Sequence, residues 1–217
     1  MLVKYFDVHT HIISSDKNVV SILNTYPNSI DFSHSFSIGL HPWYINREKV
    51  EEELLRVELK LQHKNCFALG ECGLDTITKV DFDVQKSVFR KQIALSEKYQ
   101  KPLMIHCVKA HQEIISLKKE IKPMQQWVLH GFNKNLQLAQ SLLKNGIVVS
   151  FGAAIISHKK LQEVVLEIPL ENMLLETDDN TDLKIQEIYQ KVAVIKKIEV
   201  KELQQKIAQN FKRIFKG

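Results

Sequence analysis

Apolar and polar positions alternate along this chain in two rhythms. Short runs dense in Val, Ile, Leu and Phe occupy residues 2–8, 18–24, 36–40, 66–70, 102–107, 127–130, 146–152 and 172–177. Their length and near-continuous apolarity predict buried strands of a parallel sheet. Between most of them lie longer segments, at 47–64, 82–100, 110–121, 135–145 and 159–168, with helical apolar spacing and charged faces. Strands alternating with helices of that size predict a parallel sheet with helices outside it.

Eight such strands fit an α/β fold of the TIM-like (β/α)8 barrel type. Residues 12–17 and 25–35 are too short for crossover helices, so shortened connections are expected after the first two strands. That accounts for a chain of 217 residues, against the roughly 250 typical of the fold. Two further helical segments, 182–197 and 200–215, follow the last strand. In the second, Leu203, Ile207, Phe211 and Phe215 form a stripe expected to pack on the barrel, with the lysines as its solvated face. With only seven Gly and five Pro there is no obvious linker, and one domain over 1–217 is expected.

Composition narrows the class. The 44% hydrophobic and 25% charged fractions suit a soluble globular protein. No apolar run approaches the roughly 20 residues of a membrane span, and no signal peptide is expected from the start of the chain. Cys66, Cys72 and Cys107 form no CxxC pair and read as reduced, mostly buried thiols of a cytoplasmic protein. A net charge of +5 admits a polyanionic partner without identifying one. No protein partner is predicted. The absence of GxSxG, P-loop and GxGxxG motifs argues against a serine hydrolase, an NTPase or a dinucleotide enzyme.

Six metal-type residues close five of the apolar runs: His9, His11, Glu71, His106, His130 and Asp178. His9 and His11 are two apart, so in an extended chain both imidazoles point to one side. A surface pair is the bland alternative, but they follow an apolar strand and Asp7, a carboxylate suited to orienting a ligand histidine. Glu71 ends a buried run, where a carboxylate is costly unless paired in a salt bridge or metal-bound. Its two oxygens would let it bridge two cations. Asp75 reads as a loop cap, an orienting group or a second ligand. His106 and His130 alone would be hydrogen-bonded core histidines; on adjacent strands they can face one ion. Imidazoles suit Zn, Mn, Fe or Ni and carboxylates suit Mg and Mn, which leaves the metal open. Asp178 can ligate metal and accept the proton of an activated water, with Asp179 as its competitor. His41, in GLHPW, is expected to contact an anionic substrate or to pack beside Pro42 and Trp43, with a seventh metal ligand as the lesser alternative.

Taken in order, HxH, GExGLD, HC, HGF and ETD resemble the motifs of the TatD family of metal-dependent hydrolases, in the amidohydrolase-like superfamily. FDVHTHI, IGLHPW, LGECGLD and the stretch ending PLMIHC carry the resemblance, and IAQNFKRIF is similar to the family's terminal helix. The resemblance spans nearly the whole chain. It implies a TIM-like barrel binding up to two divalent metal ions (Mg, Mn or Zn). His9, His11, Glu71 and Asp178 would hold one ion. Glu71, His106 and His130 would hold the other, with Glu71 bridging and Asp178 and Glu71 serving catalysis. It implies a phosphodiesterase or deoxyribonuclease acting on DNA ends.

The chain departs from the family pattern on the substrate side. Where the family usually has Cys-Arg-(Asp/Glu)-Ala, this chain has Cys107-Val108-Lys109-Ala110, and Glu-Thr-Asp-(small)-Pro becomes Glu176-Thr177-Asp178-Asp179-Asn180. His41, Lys109 and Lys134 are the candidates for substrate phosphate. Hydrolysis of a small ester or amide on the same residues is the second reading, and a non-catalytic metal-binding barrel the third.

Overall fold

The computed structural model describes residues 4–215. Along them run β1 (Tyr5–Thr10), β2 (Val19–Thr25), β3 (Phe36–Ile38), α1 (Val50–Leu61), β4 (Cys66–Asp75), α2 (Phe82–Tyr99), β5 (Leu103–Val108) and α3 (His111–Ile121). There follow β6 (Trp127–Leu129), α4 (Leu136–Lys144), β7 (Ile147–Phe151), α5 (Lys159–Glu167), β8 (Met173–Leu175), α6 (Ile185–Lys196) and α7 (Val200–Phe215). The strands follow one another in the sheet from β1 to β8, the order of the TIM-like (β/α)8 fold. The links after β1 and β2 contain no helix, as their length predicts. The first two positions of the apolar run 2–8 lie outside the described residues. The described residues fall into two compact units, one being Asn24–Leu129, the other the residues up to Leu23 and from His130 onward.

Within Asn24–Leu129, α1 buries Val50, Leu54, Val57 and Leu61, a single stripe of helical spacing. Asp81 caps α2 by accepting from the Val84 N–H, which satisfies one of the helix's unpaired donors. Two buried glutamines on α2, Gln85 and Gln92, serve the ends of strands. The Gln92 amide accepts from Leu40 N (2.8 Å) and donates to Leu40 O (3.1 Å). Gln85 does the same for Asp75, at 2.8 and 3.0 Å. Buried backbone groups need partners, and these side chains supply them where the chain leaves the sheet.

The run at 66–70 understates β4. Its ladder to β5 continues through Cys72↔Ile105, Gly73↔His106, Leu74↔Cys107 and Asp75↔Val108. Glu71 and Asp75 therefore lie within the strand, as His9 does in β1 and His106 in β5, instead of just beyond the strand ends. Backbone pairing, which the side-chain pattern does not record, sets the true limit.

In the other unit, β1 pairs in parallel with β2 from Tyr5↔Val19 to Thr10↔Leu23, and β7 with β8 from Val149↔Met173 to Phe151↔Leu175. The expected stripe on α7, Leu203, Ile207, Phe211 and Phe215, is buried, and the Phe6 and Phe211 rings lie 4.5 Å apart. Asn210 donates to Leu170 O (2.6 Å) and Met173 O (2.9 Å), fixing α7 to the entry of β8. Among the described residues no helix is long and apolar enough to cross a membrane.

Candidate metal centre

Each unit carries its own cluster of metal-type donors. In the first, His9, His130 and Asp178 offer ligand atoms within 4.8 Å of one another. His9 Nε2 lies 3.4 Å and His11 Nε2 3.6 Å from Asp178 Oδ1, and His130 Nδ1 is 3.7 Å from Asp178 Oδ2. These separations are long for hydrogen bonds. Donors about 2.1 Å from a metal and 90–109° apart stand about 3.0–3.4 Å from each other; the His9–Asp178 separation falls in that range, and the other two are 0.2–0.3 Å longer. His9 is fully buried, whereas Asp178 is 34% exposed.

Backbone geometry fixes this cluster. Asp178 N donates to His9 O (2.9 Å) and His11 N donates to Asp178 O (3.0 Å), so the ends of β1 and β8 are laced together. Asp178 sits at φ 56°, a left-handed conformation that Asp tolerates better than most residues. His130, which the resemblance groups with Glu71 and His106, lies here beside His9, their ring centroids 4.2 Å apart.

Behind the ligands are two further buried carboxylates. Glu176 accepts from Gly131 N (2.5 Å), and its Oε1 is 3.8 Å from His130 Nδ1. Asp7 accepts from both Thr177 N (2.9 Å) and Thr177 Oγ1 (2.7 Å). Burial pushes the Asp7 carboxyl up from its ordinary 3.8 to about 7, against the lowering pull of the Thr177 hydrogen bonds, with the Glu176 charge adding to the rise. The folded protein thus holds a proton that the unfolded chain has released. The associated stability is fully present below about pH 3.8 and is lost as the pH rises through about 7. Metal-free wild type should accordingly lose urea resistance between those limits, and Asp7→Asn, which keeps a neutral group there, should lose much less. Parallel pH profiles of the two unfolding midpoints would contradict this.

The second cluster, His41, Glu71 and His106, lies within Asn24–Leu129. Glu71 Oε1 is 2.9 Å from His106 Nδ1 and 3.2 Å from His41 Nε2, while its Oε2 accepts from Asn24 Nδ2 at 3.1 Å. Asn24 also accepts from Glu71 N (3.1 Å), so one amide grips the backbone and side chain of the same residue. His41 Nδ1 accepts from Trp43 N, which assigns its proton to Nε2 and aims that N–H at Glu71.

His106 has a carboxylate on each side. Its Nε2 is 2.9 Å from Asp75 Oδ2, opposite Glu71. Asp75 is fully buried and also accepts from Trp43 Nε1 (2.5 Å) and Ile77 N (2.9 Å). Burial alone would raise its carboxyl, but the hydrogen bonds from His106, Trp43 and Ile77 prevail and hold it below the usual range. A neutral imidazole has one N–H and cannot satisfy two carboxylates. A cation on the Glu71 side would take the place of the second proton. Both donor sets therefore fit divalent metal.

His41, which is not one of the six metal-type residues, joins Glu71 and His106 in the second cluster. Lys109 and Lys134 are exposed. Asn24, Glu176 and the Trp43–Asp75 bond were missed in the sequence; Glu176 stood inside the ETD motif, whereas Asn24 had no local signal. Cys66 and Cys72 are buried and form no disulfide, and burial pushes the Cys66 thiol up to about 12.

The fold and the donor clusters define a metal-dependent hydrolase. The sequence profile described as "TatD related DNase" matches residues 7–216, and the chain belongs to that TatD family. It is 28% identical over 221 residues to YabD of Bacillus subtilis, described as an uncharacterized metal-dependent hydrolase, covering 94% of this chain and 86% of that one. A metal-dependent hydrolase of Buchnera aphidicola is 30% identical over 197 residues, covering 82% of this chain and 74% of its own. The crystal structure of YjjV, a TatD homologue from Escherichia coli K12, superposes with a TM-score of 0.85 at 19% identity over 100% of both chains. A TatD family hydrolase from Entamoeba histolytica gives 0.79 at 19% identity, over 98% of each.

Proposed function

We propose that this TatD-family hydrolase is a two-metal phosphodiesterase that acts on DNA ends. The observation that carries the reading is the donor chemistry. One cluster offers three imidazoles and the Asp178 carboxylate; the other offers Glu71 and His106, both held from behind. His9, His11, His130 and Asp178 would hold one divalent ion, and Glu71 with His106 the second. When bound, such ions lower the pKa of water and offset charge developing on phosphoryl oxygens.

The protein's own groups divide the remaining work. Asp178, partly exposed and fixed by its backbone bonds to β1, is the proton acceptor, at Oδ2. Asn24 and His41 orient the Glu71 carboxylate. Asp75 accepts a hydrogen bond from the His106 Nε2–H, which leaves Nδ1 free to donate its lone pair. Lys109 and Lys134 are available to a substrate phosphate. The second reading, ester or amide hydrolysis, rests on Val108 standing where the resemblance places an arginine.

The deciding experiment incubates metal-depleted protein with single-stranded oligonucleotides and with a panel of acyl esters, with Mg or Mn restored. Metal-dependent shortening of the oligonucleotide is expected. Ester turnover without DNA turnover would transfer the assignment to the second reading, and full turnover without metal would sink both. Asp75→Asn should weaken metal affinity or activity about 10–100-fold, the usual cost of losing a carboxylate behind a ligand histidine. Unchanged Mn affinity in that variant would remove Asp75 from the positioning role.

A further inference from the structure

Beside the Glu71 cluster, within the same unit, is a pocket of about 330 Å³ whose walls include Tyr26, Pro27, Asn28, His41, Tyr44 and Glu53. Tyr44 is 60% exposed although its neighbours His41 and Pro42 are buried. Trp43 beside it is 50% exposed as well, and two aromatic rings left in water on one short turn need a reason, because burying them would be favourable. The Tyr26 and Tyr44 rings meet at 5.7 Å and 78°, forming a corner with one face and one edge. The His41 ring lies 5.4 Å from Tyr44 on the inner side. Glu53 adds a carboxyl that burial holds above its ordinary range.

From this arrangement we infer that the pocket is a nucleobase subsite, holding the base attached to the phosphate that is cut. The inference rests on the phosphodiesterase reading and extends it. His41 joins the two places: its ring lines the pocket, and its Nε2 is 3.2 Å from Glu71 Oε1. A phosphate bound at the Glu71–His106 cluster therefore has this pocket one imidazole away. The walls suit a planar heteroaromatic ring better than an acyl chain, since two tyrosines offer stacking and edge contacts that any base can use. The pocket also falls within the usual size of small-molecule sites, which are mainly apolar with a few polar groups. Glu53 sets a preference within the class. A carboxylate accepts hydrogen bonds from the exocyclic amines of cytosine, adenine and guanine, and thymine has none.

Isothermal titration of the Mn-loaded protein with deoxycytidine 5′-monophosphate and with 2-deoxyribose 5-phosphate isolates the contribution of the base. Wild type is expected to bind the nucleotide about tenfold or more tightly than the sugar phosphate, the size of one base–aromatic stack. Tyr44→Ala should erase that advantage, Tyr44→Phe should keep it, and Glu53→Gln should narrow the gap between the cytidine and thymidine nucleotides. Tyr44 is mostly exposed, so its removal leaves the core intact; Tyr26→Ala provides a second, independent loss. Equal affinities of the two ligands in wild type would overturn the subsite. So would an advantage that survives both tyrosine-to-alanine changes. Hydrolysis of oligonucleotides without any base advantage refutes the subsite alone, whereas base-dependent binding without hydrolysis supports the pocket and refutes the nuclease reading.

Discussion

Glu71→Gln is expected to lower metal-supported hydrolysis by about a hundredfold to ten-thousandfold, the equivalent of several kcal/mol of lost charge stabilisation. The reason lies in what surrounds the carboxylate. Glu71 is only 6% exposed, and its oxygens meet Nε2 of His41, Nδ1 of His106 and the Asn24 amide. A carboxylate charge buried there is costly, and a bound divalent ion would offset that cost. A neutral glutamine of nearly the same shape removes that cost and the ion together. The metal-free variant should therefore be as stable as metal-free wild type, or more so. What it should lose is the metal-induced gain, about 2.7 kcal/mol at a hundredfold excess over Kd, or about 5–11 °C for a chain of this size. Thermal melts across an Mn titration separate the two effects. Equal Mn-induced shifts in both proteins would exclude Glu71 as a ligand.

Gly73→Ala should be the most destructive small change in the second cluster. Gly73 stands at φ +143° in β4, and a Cβ there would meet the carbonyl oxygen of His106 well inside contact distance. That atom is backbone and cannot swing aside; β4 and β5 must part at the pair Gly73↔His106. Overpacking together with the strained backbone should cost about 3–5 kcal/mol, a fall in Tm of roughly 6–20 °C. Because His106 moves with its carbonyl, Mn affinity should fall as well. Gly146→Ala is the control. Its φ is +70°, but nothing lies within 4 Å of the added carbon, so only about 1–2 kcal/mol of left-handed strain is expected. A similar Tm loss in the two variants would show that backbone strain, and not the approach of β5, sets the requirement at Gly73.

The same glycine explains where the sequence was hard to read. Gly70, Gly73 and the acidic Glu71 and Asp75 make β4 look finished at residue 70, because turns and strand ends share that composition. The strand continues because β5 supplies a backbone partner for each residue from Cys72 to Asp75. The HxH pair was legible because its spacing equals the strand period. Glu71 was legible because a lone carboxylate in an apolar run is costly. Asn24 was not, since its partner is 47 positions away and an asparagine at a strand end is ordinary. Gln85 and Gln92 are polar yet buried, because the backbone groups they satisfy are brought to them only by folding. His41 in GLHPW admits substrate contact, local packing or a seventh ligand; that its proton is directed at Glu71 is revealed only by the Trp43 N–H contact to Nδ1.

The lacing of His9 and His11 to Asp178 also sets an order of events during synthesis. The His41–Glu71–His106 cluster is fully encoded once the chain has reached His106. The other cluster cannot close until Asp178 has emerged, since both backbone bonds that align His9 and His11 end on that residue. Contacts between such distant residues form late because a long loop must close first. A nascent chain would thus present His9 and His11 without Asp178 until the eighth strand has emerged. Closure of that donor cluster then coincides with the joining of β1 to β8.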